Sequence, residues 1–182
     1  MQNYPIHTIT SAPEHSRTAL EQLKKAFGVI PNIAAAIANS PKLINSLVGV
    51  FQQVHSSSLT EQEIQIVLLT DAVANSSTYA VAFHTALALQ QGVSSEETGA
   101  IRERHMPTNK RFAALSTLAK TLIDKRGHLS DQELDSFLAA GFTKEQVLEV
   151  IAIVAASTIT NYAGTIANPP VEDAFRPYAW QG

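Results

Sequence analysis

Apolar residues recur along this chain at spacings of three and four. Nearly every periodic stretch is therefore helical, and no Asn-Gly hairpin signal interrupts them. After an extended start containing Pro5 and Pro13, Ala19, Leu20, Leu23 and Phe27 mark one face of a helix over Glu14–Phe27, which Gly28 ends. A short helix follows over Asn32–Ala38. Pro41 then suits the first position of a helix running to about His55. Thr60 with Glu63 forms a capping box that opens a helix to Ala74, and a further helix runs from about Ser77 to Gln91 before Gly92. Ser94 or Ser95 caps the next. Lys110–Arg126 is helical up to Gly127, Ser130 with Glu133 opens a helix toward Gly141, and Thr143 with Gln146 opens a long apolar one through about Tyr162. Pro169-Pro170 ends the pattern, and the aromatics of Phe175–Trp180 are expected to dock the tail.

The pattern implies an all-α protein, and 182 residues suit a single domain over 1–182. Leu59-Thr60-Glu61-Gln62-Glu63-Ile64 has an echo in Phe142-Thr143-Lys144-Glu145-Gln146-Val147. At the same offset Thr78-Tyr79-Ala80 faces Asn161-Tyr162-Ala163. Two helical units of related design would explain this echo, and so would chance similarity between apolar helices.

Composition removes several classes of function. The content of 45% hydrophobic and 16% charged residues is that of an ordinary folded protein. A net charge of -3, with Lys and Arg scattered, gives no electrostatic reason to expect nucleic acid or an anionic membrane as partner. No signal peptide is visible at the start, and the apolar run Val147–Ala156 is shorter than the ~20 residues of a membrane span, so a cytoplasmic location is the expectation. There is no cysteine, which removes disulfides, thiolate metal sites and dithiol redox cycling together. The six histidines are dispersed, with no His-Glu-x-x-His, and no glycine-rich phosphate loop appears, so neither a metal nor a cofactor is expected.

Helical periodicity places Ser77, Ala80, His84 and Leu87 on one face. His84 is either a buried histidine satisfied by one hydrogen bond or a general acid/base poised near neutral pH. Ser77 is either an N-cap or a nucleophile. Seven helical residues raise His84 about 10.5 Å above it, too far for a direct hydrogen bond. Asp71 stands among Val67, Leu68, Ala72 and Ala74, where an unpaired carboxylate is costly. It requires either a partner on a neighbouring helix or a pocket. Glu145, Gln146 and Glu149 share a face that reads as a solvated edge.

The run Asn75-Ser76-Ser77-Thr78-Tyr79-Ala80-Val81-Ala82-Phe83-His84 resembles the active-site segment of the carboxymuconolactone decarboxylase and alkylhydroperoxidase D-like superfamily, where the redox pattern is Cys-x-x-Cys-x-x-x-His. Ser77 and Ala80 stand where the two thiols would be, while Tyr79 and His84 are in place. Leu20–Asn32, Ser40-Pro41, Asn161 and Phe175–Trp180 are similar to the peroxidase-related subgroup, and Leu59–Gly92 is similar to the family's core helical pair. The glutamate of the redox branch falls on Gln65, and the Tyr-Glu pair of the decarboxylase branch falls on Tyr79-Ala80. The resemblance implies an alkylhydroperoxidase D-like helical bundle that assembles into homo-oligomers. It also implies a site built on His84, Gln65, Ser77 and Tyr79, with Asn161 as further polar lining. The expected function is binding of a small carboxylate, lactone or hydroperoxide, or service as a structural partner, by a family member without peroxidase activity. The alternatives are a cofactor-free decarboxylase- or lactone-type enzyme with His84 as acid/base, and a purely architectural subunit.

Overall fold

The computed structural model describes residues 4–182, and among these it contains nine α-helices and no strand. In chain order they are α1 (Glu14–Phe27), α2 (Asn32–Ile37), α3 (Pro41–Val54), α4 (Glu61–Ala74), α5 (Thr78–Gln90), α6 (Ser95–Arg102), α7 (Lys110–Asp124), α8 (Asp131–Ala139) and α9 (Lys144–Ala167), followed by a 3₁₀ turn at Arg176–Tyr178. The three capping boxes form as read, at Thr60/Glu63, Ser130/Glu133 and Thr143/Gln146. Glu63 has a second partner in Arg111, at 2.7 Å. Gly28 takes φ 76° to end α1.

The fold is organised around α4. Every residue from Glu63 to Val73 is buried, so this helix has no solvent face and is packed on all sides. Its Ile64, Leu68 and Leu69 share a core with Leu115 and Ala119 of α7 and with Val150 and Ile153 of α9. A second apolar cluster joins α1, α2 and α3 through Leu20, Ile33, Ile44 and Leu47, and reaches α5 at Tyr79 and Phe83. The seam between the two clusters is where the side chains of interest lie.

Three sequence expectations change here. Helix α9 runs five residues past Tyr162 to Ala167, and Asn168 closes it in the left-handed conformation at φ 43°. Its Val147, Val150, Ile153, Asn161 and Gly164 are buried against other helices. At 24 residues it is long and apolar enough to cross a bilayer by length and composition, yet here it is a packed element of the bundle. The internal echo does not extend to architecture, because α4 and α5 are broken at residues 75–77 whereas α9 runs straight through the corresponding positions. Glu149 is no free solvated edge, since its two oxygens accept from the Ser58 amide (2.8 Å) and hydroxyl (2.7 Å) and tie α9 to the loop before α4.

The tail docks through its aromatics and its backbone. Phe175 meets Phe83 edge-on at 4.9 Å, and the Trp180 indole donates to the Arg102 carbonyl. Arg102 in turn donates to the carbonyls of Tyr178 and Ala179.

Candidate functional site

A cavity of about 540 Å³ occupies the seam between the two cores. Helix α4 supplies Gln65 and Leu68 to its wall, and α5 supplies Tyr79, Ala80, Phe83, His84 and Leu87. Phe27 of α1, Leu47 and Phe51 of α3, His55 at the C-cap of α3, Ile33 of α2 and Thr160 of α9 also contribute to it. Ala80 matters through what it lacks, because a small side chain in the first turn of α5 leaves open the space beside His84. Among the described residues, no Lys, Arg, Asp or Glu lines the cavity.

His84 is 5% exposed, and its Nδ1 lies 3.1 Å from Oε1 of Gln65. An amide oxygen at that distance accepts Nδ1–H, which leaves Nε2 as the ring's lone-pair nitrogen. Burial, with a smaller contribution from His55, pushes the imidazole down to about 3, so the ring is neutral through the physiological range. This runs against the reading of His84 as a group poised near neutrality. The Phe83 ring stands edge-on to it at 5.4 Å.

Tyr79 lines the same cavity, but its hydroxyl is committed. It donates to Oε1 of Glu172 at 2.8 Å and accepts from the Ile33 amide at 3.4 Å. Burial and the nearby Glu172 charge push the phenol well above its ordinary value. Glu172 also accepts from the amide of Asn32, at 2.6 Å, at the first turn of α2. One carboxylate thus ties the C-terminal segment to α2 and α5. Sequence reasoning missed Glu172 because it lies 93 residues beyond Tyr79 in a non-helical stretch, where no periodicity points to it. His55, also missed, sits on the cavity wall with Nδ1 3.0 Å from Glu61.

The structure separates Ser77 from this group. Ser77 occupies the N-cap position of α5, but its side chain makes no capping hydrogen bond. It opens instead on a different depression, lined also by Gly164, Thr165, Asn168 and Pro169. The preceding turn is held from outside, since Ser76 adopts φ 52° and its hydroxyl accepts from Arg104 at 3.2 Å while Arg104 also donates to the Val73 carbonyl. The helical spacing that put Ser77, Ala80, His84 and Leu87 on one face holds for the last three. The first falls at the helix end, where a different neighbour, α9, is packed.

Asn161 does not line the cavity either. Its amide donates to Oδ2 of Asp71 at 2.7 Å, and Asn75 donates to Oδ1 at 3.1 Å. Asp71 is fully buried, and burial raises its carboxyl to about 6 against the opposing hydrogen bonds of Ser157, Asn75 and Asn161. The carboxylate therefore found partners on a neighbouring helix rather than a pocket.

Residues 41–120 match the carboxymuconolactone decarboxylase family model. No curated protein is significantly similar to the chain. The fold is similar over 95% of the chain to the alkylhydroperoxidase AhpD core of an uncharacterized peroxidase-related protein from Ralstonia eutropha JMP134, covering 93% of that chain with 18% identity and a TM-score of 0.83. It is likewise similar to a cysteine-to-alanine variant of the debrominase Bmp8 in complex with 2,3,4-tribromopyrrole (17% identity, TM-score 0.80, 98% of this chain and 95% of that one). A peroxidase-related protein from Silicibacter sp. TM1040 shares the fold at 14% identity and a TM-score of 0.79, over 94% of this chain and 91% of that one. The match to the carboxymuconolactone decarboxylase family model thus runs from α3 into α7 and takes in Gln65, Tyr79 and His84, and the chain, which has no cysteine, shares its fold with peroxidase-related proteins.

Proposed function

We propose that this protein binds a small, largely apolar molecule in the His84 cavity and has no two-cysteine peroxidase activity. The observation that carries this reading is an apolar space of about 540 Å³ set against a buried His84–Gln65 pair, in a chain without cysteine. A volume of this size, mostly apolar with few polar groups, is typical of small-molecule sites. The dithiol cycle needs two sulfurs, and Ser77 and Ala80 supply none. That Bmp8, on a similar fold, is found with a halogenated ring compound is in keeping with a ring-sized ligand.

The decarboxylase- or lactone-type alternative fits less well. A carboxylate substrate would meet no cation in the cavity, and an imidazole held neutral down to about 3 is a weak base. Self-association has its own support, because Leu148, Ile151, Tyr162 and Ile166 of α9 are all exposed and recur along one side of a helix packed on its other side. A homo-oligomer that buries this stripe is the proposed assembly.

The test uses purified protein with hydrogen peroxide and tert-butyl hydroperoxide, followed by a thermal-shift screen of small ring compounds. The expected result is no turnover above the thiol-reagent background, with one ligand class raising Tm in the wild type and failing to do so in His84→Phe. Hydroperoxide turnover that disappears in His84→Phe would sink the proposal.

A further inference from the structure

We infer that the cavity selects a neutral ring compound bearing a hydroxyl group, of the phenol class, which donates to Nε2 of His84 and accepts from the Gln65 side-chain amide. This specificity rests on the small-molecule reading above and goes further, to the polarity of the contact.

Two polar atoms are left over beside the open space. His84 Nδ1 is engaged by Gln65 Oε1, while His84 Nε2 and Gln65 Nε2 make no hydrogen bond within the protein. Neither belongs to the buried polar atoms that are both unpartnered and sealed, which are Ser57 Oγ, Asn161 Oδ1 and Glu172 Oε2 among the described residues. Both residues line the cavity and neither atom is sealed in the core, which puts both within reach of a cavity ligand. One is an acceptor and the other a donor. A neutral hydroxyl satisfies both at once through a single atom. An ether or ketone oxygen satisfies only the Gln65 donor and leaves Nε2 desolvated without a partner, which is the expensive side of hydrogen bonding.

The other polar groups of the wall have partners within the protein, the Gln52 amide donating to Gln22 Oε1 at 3.5 Å and the Ser56 hydroxyl to the Gln53 carbonyl at 2.9 Å. The Tyr79 hydroxyl is held between Glu172 and Ile33, and the Thr160 hydroxyl donates to the Ser157 carbonyl. His55 is the other ionisable wall residue. It lies at the half-exposed mouth beside Glu61, where any charge it carries is offset and screened. An anionic ligand would thus leave water for a chamber with no cation at depth, and an ionised group placed there without a partner is strongly disfavoured. On this inference a neutral hydroxyl is preferred to a carboxylate.

The experiment compares 4-ethylphenol, 4-ethylanisole and 4-ethylbenzoate by calorimetry at pH 7.5, with ¹⁵N shifts of the His84 ring read in parallel. The expected result is 4-ethylphenol binding roughly tenfold more tightly than the anisole and roughly a hundredfold more tightly than the benzoate. The ring should show protonated Nδ1 and bare Nε2. In His84→Phe the phenol–anisole difference should close. In Gln65→Glu the new carboxylate should hold the ring as an imidazolium, turn Nε2 into a donor, and shift the preference toward the anisole and benzoate. Benzoate or anisole binding as tightly as phenol in the wild type would overturn the inference while leaving the small-molecule reading standing. So would an Nε2-protonated neutral ring, or a preference unchanged in both variants. Failure of all three compounds to bind would overturn the two together.

Discussion

Two buried titratable groups, one on each of the packed helices α4 and α5, have opposite characters. Asp71 on α4 is fully enclosed and surrounded by donors from Asn75, Asn161 and Ser157. His84 on α5 is equally withdrawn from solvent, yet it has one protein partner, Gln65, six residues before Asp71 on the same helix, and an open chamber beside it. Burial alone would rank them together. What separates them is unused hydrogen-bonding capacity next to space: Asp71 has almost none, whereas the His84–Gln65 pair retains one acceptor and one donor. The first arrangement holds helices together, and the second is suited to receiving something.

The largest test of this contrast is to remove the carboxylate. Asp71→Ala leaves the Asn161 and Asn75 amides facing an apolar gap. Urea unfolding should show a loss on the order of 2–4 kcal/mol, with ligand affinity of the remaining folded protein unchanged. A loss of affinity without a loss of stability would reverse the assignment of the two groups.

The second test reads the two groups through pH. His84 drops from 6.5 to about 3 on folding, so between those values the unfolded chain binds more protons, and stability is lost as pH falls below about 6.5. Asp71 rises from 3.8 to about 6, so in that window the folded chain binds more protons, and stability is lost as pH rises. Between pH 4 and 6 the two contributions oppose each other. Relative to wild type, His84→Phe should tilt the stability profile downward with rising pH and Asp71→Asn should tilt it upward, each by roughly 1 kcal/mol per pH unit. Parallel profiles in urea titrations across pH 4–6 would show that neither group is held as described.

The smallest effect on stability is expected where the space itself is filled. Ala80→Leu puts three extra carbons into the cavity rather than into packed core, so unfolding free energy should change by less than about 1 kcal/mol. Affinity for a cavity ligand should nevertheless fall at least about tenfold, measured by calorimetry. A large destabilisation would mean that the space beside Ala80 is already taken by the wall.

Helix positions were legible in the sequence because their signals are local. The Thr60/Glu63, Ser130/Glu133 and Thr143/Gln146 boxes and Gly28 act within a turn of the residues they stop or start. The candidate site was legible only in part. His84, Gln65 and Tyr79 meet at one cavity, but Gln65 joins His84 across a helix–helix contact whose geometry no periodicity contains. Ser77 and Asn161 were placed with them by helical spacing and by resemblance. Both leave the group because α9 packs over the start of α5 and takes Asn161 to Asp71.

By itself the sequence settled the absence of thiol chemistry, the all-helical class and the family segment, since each depends on residue identity or on spacing within a helix. The tertiary structure alone decided that Ala80 opens a chamber, that Glu172 closes on Tyr79 from the far end of the chain, and that His84 lines the chamber with its Nε2 unpartnered in the protein. Unoccupied volume and unspent hydrogen bonds are properties of how helices pack against one another, and no single helix encodes them.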